Sequence, residues 1–194
     1  MPVRRSIPDK EGIYFITITC ARWIKLFEIV NGYDIVYKWF DYLKERGHYI
    51  NGYVIMPNHL HAVIAFKYTG KPINTIIGNG KRFMAYEIIE RLRRLGKIEL
   101  LEQLSSIVNT TDQRRGKHHE VFEPSFDWKE CLDAKFIEQK LDYIHDNPCQ
   151  QNWSLAKNPV DYIHSSAKYY LGDELGVYLV TSYAEMEDID LTQV

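Results

Sequence analysis

Short runs of β-branched and aromatic residues alternate along this chain with longer stretches of helical spacing. Residues 13–19, Ile-Tyr-Phe-Ile-Thr-Ile-Thr, predict a strand, and Thr17 and Thr19 give it one polar, open face. Over 33–46 the apolar positions Ile35, Val36, Trp39, Phe40 and Leu43 recur at helical spacing, and Gly47 is placed to end that helix. Apolar runs over 49–55 and 59–66 predict a second and a third strand. Met56-Pro57-Asn58 between them is turn chemistry, so the two form a hairpin. A helix is expected over 71–95 through Ile76, Phe83, Ile88 and Leu92, entered through Gly78-Asn79-Gly80 and closed by Gly96.

The second half is less regular. Residues 97–107 extend the helical region, and 109–119, polar and basic, read as a flexible loop. A fourth strand is expected over 121–128, broken by Pro124. Residues 133–147 form a helix through Phe136, Ile137, Leu141, Tyr143 and Ile144, which Pro148 stops. A short helical stretch over 165–171 and an acidic tail with an apolar run at 177–180 follow. Strand–helix–strand–strand–helix–strand is the split βαβ order. The expected fold class is therefore α+β: a ferredoxin-like (RRM-like) antiparallel sheet with helices on one face, plus a C-terminal tyrosine-bearing helix. One domain over 1–170 and an acidic C-terminal tail over 171–194 are expected.

Composition narrows the class. Hydrophobic residues at 45% and charged residues at 26% are ordinary for a globular chain of 194 residues. Cys20, Cys131 and Cys149 are scattered, with no CxxC, which argues for a reducing compartment and against a disulfide framework or zinc ribbon. Arg4-Arg5 precede no apolar run of signal-peptide length, and no stretch reaches the ~20 apolar residues of a membrane span. A cytoplasmic protein without membrane contact is expected. The net charge of -2 does not mark a nucleic-acid binder. Six acids lie beyond Lys168, however, where there is no Lys or Arg, and the remainder of the chain stands at +4. Within 81–97 there are six basic residues against two acids. A basic face is available to phosphate, though charge alone fits an ordinary solvated helix equally well. The acidic tail is a candidate cover for that face.

Two short strings carry candidate chemistry. In Met56-Pro-Asn-His-Leu-His61 the two histidines sit at i and i+2, so a strand projects His59 and His61 from one face, half of a divalent-metal site. Alone, this spacing is common and compatible with two surface histidines. In Tyr143-Ile-His-Asp-Asn-Pro148, Tyr143 and Asn147 are four apart and share a helix face. Tyr143 offers a phenolic nucleophile and Asn147 a carbonyl oxygen, or else a core aromatic and a helix stop. His145 points well away from Tyr143 on a helix, and His118 and His119 fall in the polar loop.

Together the strings resemble the HUH single-tyrosine transposases, and more closely their REP-associated branch. The matching segments are Gly52-Tyr-Val-Ile-Met-Pro-Asn-His-Leu-His-Ala-Val-Ile64 and Lys140-Leu-Asp-Tyr-Ile-His-Asp-Asn-Pro148. Residues 77–92, with Lys81-Arg82-Phe83 and Tyr86, look like the family's basic helix, and Asp161-Tyr-Ile-His-Ser-Ser-Ala167 like its C-terminal motif. The stretch over 96–120 is longer than usual, Cys149-Gln-Gln-Asn-Trp-Ser154 replaces a Val-Arg-Ala-Gly-like run, and His164 stands where a Tyr is frequent. These departures bear on DNA sequence preference and leave the two strings intact.

The resemblance implies that His59 and His61, with Asn147, hold Mg²⁺ or Mn²⁺, and that Tyr143 is the nucleophile. A phenol is a poor nucleophile at neutral pH without a metal or base beside it, which a ligand one helical turn away supplies. The implied reaction is cleavage and rejoining of single-stranded or hairpin DNA through a 5′-phosphotyrosine, in DNA transposition or palindrome processing. Lys81, Arg82, Arg91, Arg93 and Arg94 are the candidate DNA-binding residues. The family contains dimers that share active sites, while the REP-associated branch tends to be monomeric, so a monomer or a homodimer is expected. Two other readings compete. A non-catalytic single-stranded nucleic-acid-binding module of RRM-like fold would have no need of the His59, His61, Tyr143 and Asn147 set. A hydrolase of small phosphate esters would want carboxylates beside the His pair, and there are none.

Overall fold

Strands β1 (Gly12–Thr19), β2 (Tyr49–Met56), β3 (His59–Phe66) and β4 (Asp127–Glu130) form one antiparallel sheet, ordered β2-β3-β1-β4, in the computed structural model, which describes residues 7–193. Arg4 and Arg5, the basic pair of the N-terminus, lie outside the described residues. The strand order is that of the split βαβ fold expected from the sequence. The helices are α1 (Leu26–Ile29), α2 (Tyr33–Lys44), α3 (Ile73–Arg94), α4 (Ile98–Ser106), α5 (Thr110–Arg114), α6 (Ala134–Asp146) and α7 (Ala167–Leu171).

The sheet buries both faces, unequally. On one, Tyr14, Ile16 and Ile18 of β1 and Leu60, Ile64 and Phe66 of β3 meet Ile35, Trp39 and Phe40 of α2 and Ile77, Met84 and Ile88 of α3. Gly80 sits inside α3 rather than before it; a Cβ there would lie 2.2 Å from Trp39 Nε1, so its absence lets α3 close on α2. On the opposite face Phe15, Val54, Met56 and Val63 meet Ile137, Leu141 and Ile144 of α6. A Cβ at Gly52 would lie 2.2 Å from Leu141 Cδ2, so α6 reaches β2 only over a glycine. Helices on one face thus describes α2 and α3, while α6 packs across β2 and β3 on the other side.

The C-terminal residues are bound into the fold. Ile55 N–H donates to His164 O (2.8 Å), Ser166 N–H to Tyr53 O (3.0 Å) and Thr181 N–H to Ile50 O (2.9 Å). These bonds occupy the outer edge of β2, which would otherwise present unpaired backbone groups. Tyr178 stacks on Tyr37 at 5.3 Å and its hydroxyl donates to Asp41 (2.9 Å). The tail therefore lies along β2 and α2 and reaches α6, where the Tyr183 hydroxyl donates to Glu138 (2.6 Å).

Three local expectations are corrected. The polar stretch over 109–119 contains α5, because the Asn109 side chain caps it by accepting from Asp112 N–H (2.9 Å). The fourth strand starts at Asp127, after Pro124, and Phe122 makes only an isolated bridge to Cys20. Residues 98–106 form a separate helix, α4, because Gly96 turns the chain at φ +64°. Among the described residues no helix is long and apolar enough to cross a membrane, and the three cysteines are free thiols.

Candidate active site

Register sets the histidine pair. His59 opposes Thr19 and His61 opposes Thr17 across β1, so both imidazoles emerge beside the threonine face of that strand. Their ring centroids lie 4.6 Å apart and both rings are buried. Asn58, from the hairpin turn, fixes the first ring. Its Nδ2 donates to Trp23 O (3.0 Å), which turns its Oδ1 toward His59 Nδ1 at 2.7 Å. An amide oxygen only accepts, so this network assigns the proton to His59 Nδ1 and leaves the Nε2 lone pair free. His61 Nδ1 lies 2.8 Å from Thr17 Oγ1. Burial lowers the His59 pKa to about 4. Burial, then the charges of His59 and Lys140, lower that of His61 to about 3. Both rings are neutral near pH 7 with Nδ1 engaged, and wherever Nδ1 carries the proton Nε2 is available to a metal.

Helix α6 brings the second half. Asp133 caps it, accepting from Phe136 N–H (2.8 Å). Leu141 and Ile144 face the sheet, which turns Tyr143 to the open side. Tyr143 is 52% exposed, with its ring 5.3 Å from His61 and edge-on to Phe15 at 6.1 Å. Asn147 is buried just past the end of the helix. Because α6 packs mainly on β2 and β3 and meets β1 at Phe15, a cleft of about 1000 Å³ remains beside β1 and β4. His59, His61, Tyr143 and Asn147 all line it. Among the described residues no three His, Cys, Asp or Glu side chains form a cation-binding group. A cation held by His59 and His61 therefore needs another donor, and the amide oxygen of Asn147 fits that need.

The five basic candidates of α3 do not line the cleft. Lys81 Nζ donates to Glu123 O (2.6 Å) and Ser125 O (3.3 Å). Arg91 forks onto both carboxylate oxygens of Asp34 (2.8 and 2.6 Å) and also bonds Glu87. Arg93 and Arg94 share Glu90, and Arg82 bonds Asn79, all at the surface. The cleft's own cations, Lys129 and Lys140, were missed. Lys129 pairs with Phe15 across β1, and Lys140 lies one turn before Tyr143, with Nζ 5.2 Å from the Phe15 centroid. The spacing 140 to 143 was the available signal. Asp127 and Glu130 line the same cleft, so its charge is mixed. His145 is buried off the cleft, with Nε2 2.8 Å from Ser166 Oγ.

No family model and no curated protein matches the chain. Among solved structures, that of a REP-associated tyrosine transposase bound to a REP hairpin aligns with a TM-score of 0.61 at 18% identity, covering 94% of this chain and 96% of that one. A structure from Deinococcus radiodurans R1 assigned as a transposase aligns at TM-score 0.42 and 14% identity over 75% of this chain and 97% of that one, too distant to carry an argument. The first likeness, at this identity, establishes a shared fold.

Proposed function

We propose that the chain is a single-tyrosine transposase of the REP-associated kind, which cleaves and rejoins single-stranded hairpin DNA through Tyr143. The observation that carries this is the convergence of Tyr143 and Asn147, from α6, with His59 and His61, from β3, on one cleft. Two pairs about 80 residues apart in sequence, each matched to the same chemistry, meet on one cleft wall where α6 packs on the sheet. The fold shared with a transposase bound to a REP hairpin supports the same reading.

His59 and His61, with Asn147, would hold Mg²⁺ or Mn²⁺, and the donor set suits it: two neutral imidazoles and an amide oxygen. A bound cation would polarise the scissile phosphate and offset the charge that develops on it. Thr17 and Asn58 hold the two imidazoles by Nδ1. The Tyr143 phenolic oxygen attacks phosphorus, and the bond from phosphorus to the 3′-oxygen breaks. The phenolic proton is lost and the 3′-oxygen gains one, leaving a 5′-phosphotyrosine and a 3′-hydroxyl. Attack by another 3′-hydroxyl reverses the exchange and rejoins a strand, with no net bond energy required. Lys129 and Lys140 supply positive charge to the strand in the cleft. Arg82, Arg93 and Arg94, exposed on α3, are candidate contacts for the paired part of a hairpin, with Lys81 and Arg91 committed more to their own partners. All four site residues come from one chain, so a single copy suffices.

The non-catalytic reading is weakened by α6, which covers β2 and β3 on the sheet face where an RRM-like module would stack bases. The test is covalent trapping. Labelled single-stranded hairpin DNA from the gene's flanks is incubated with Mn²⁺ and either the parent protein or Tyr143→Phe, then run on a denaturing gel. A retarded band that needs both the metal and Tyr143 is expected; retention of DNA on filters with no such band would sink the transposase reading.

A further inference from the structure

Trp23 holds an improbable position. It and Arg22 are successive non-glycine residues in the left-handed region, at φ 58° and 51°, a conformation that a Cβ disfavours. Their surroundings enforce it. Arg22 N–H donates to Glu123 Oε1 (2.9 Å), Trp23 N–H to Cys20 O (3.0 Å), and Asn58 Nδ2 to Trp23 O (3.0 Å). The result is an indole 61% exposed on the cleft wall, at 64° to the His59 ring and 5.8 Å from it. Trp153, on the segment after α6, adjoins the same imidazole at 5.6 Å and lines the same cleft. Leaving so large an apolar ring in water forgoes the burial that packing it would give.

We infer that Trp23, assisted by Trp153, is a stacking platform for an unpaired nucleobase next to the phosphate that Tyr143 attacks. This deepens the function proposed above and rests on it. Indole faces beside lysines are how single strands are recognised: the rings take bases and the cations take phosphates. Lys129 and Lys140 line the cleft with both tryptophans. A base within a duplex has its faces already stacked, so the platform selects an unpaired one. Asn58 gives the site its geometry, because one amide holds both the Trp23 carbonyl and His59 Nδ1. The base platform and the imidazole are positioned by the same side chain.

The test separates bases from phosphates. The full chain, Trp23→Ala, Trp23→Phe and Trp153→Ala are titrated by fluorescence anisotropy with a 15-nucleotide oligothymidine and with an abasic strand of equal length and charge. The parent is expected to prefer the oligothymidine by about tenfold, Trp23→Ala to lose that preference while keeping its affinity for the abasic strand, and Trp23→Phe to recover most of it. Trp153→Ala loses less. Equal binding of both strands by the parent, or a Trp23→Ala variant that binds as the parent does, overturns the inference. Covalent trapping in parallel keeps the two claims apart. A normal adduct with no base preference defeats the platform alone, and base preference through Trp23 with no adduct defeats the transposase alone.

Discussion

On one face of the sheet, β1 and β3 meet α2 and α3 in a continuous apolar layer; on the other, α6 packs mainly on β2 and β3 and leaves a cleft walled by β1, β3 and β4. The first face buries Trp39, Phe40, Tyr14 and Phe66 almost completely. The second spends part of its area on His59, His61 and Asn147, polar groups buried by their surroundings. Burial on the first face stabilises the fold; on the second it keeps imidazoles neutral and sets them against an exposed phenol. Stability and chemistry should therefore respond to different substitutions.

The largest contrast is Tyr143→Phe, which removes one oxygen from a half-exposed ring. Strand cleavage should fall at least about a thousandfold, while the urea midpoint stays that of the parent. A clear loss of stability would mean that Tyr143 belongs to the core. Trp39→Ala is the converse. It empties a buried site on the α2 face, and Trp39 Nε1 has no hydrogen bond to lose. Unfolding free energy should drop by about 3–5 kcal/mol, with cleavage per folded molecule unchanged below the transition. A selective loss of cleavage would show that the two faces are not independent.

Gly52→Ala crosses the divide. Its Cβ would strike Leu141, so α6 must shift, at a cost of about 1–3 kcal/mol. Cleavage should suffer beyond that loss, because α6 carries Tyr143 and leads into Asn147; a melting curve beside an activity assay reads both. Thr17→Val deletes the partner of His61 Nδ1 and fills the same space. Mn²⁺ affinity by calorimetry should weaken by about tenfold with little change in melting, and an unchanged affinity would remove Thr17 from the site. Acid acts on the fold itself. His48, against Phe66, and His164, stacked on Tyr33 at 3.6 Å, are both lowered by burial to about 4 from an ordinary 6.5. The unfolded chain binds those protons more readily, so their contribution is complete above pH 6.5 and is lost as pH falls toward 4. Urea midpoints at pH 7.5, 6 and 5 should decline in order, and a flat series would contradict the burial of these rings.

The sequence was most legible where periodicity is strong. Ile35, Val36, Trp39, Phe40 and Leu43 mark α2, and Gly47 and Gly96 close their helices at φ +81° and +64°. His59 and His61 share a face because a strand alternates, a rule that needs no tertiary information. What eluded the sequence depends on register and packing. β4 is four residues long and mostly exposed, so no apolar pattern marks it. Lys129 enters the cleft only because it pairs with Phe15. That α6 closes onto β2 depends on Gly52, whose missing side chain reads in sequence as a weak point in a strand. The role of Asn58 was hidden behind its turn chemistry, since its second partner, Trp23, lies on another loop.

Locating the nucleotide in the trapped adduct tests the role of Tyr143. The trapped protein–DNA adduct is digested with nuclease and then protease, and the peptides are weighed by mass spectrometry. The peptide containing Tyr143 should carry a 5′-linked nucleotide, and the other tyrosine peptides should not. A nucleotide on any other residue, or an adduct that persists in Tyr143→Phe, would contradict that role.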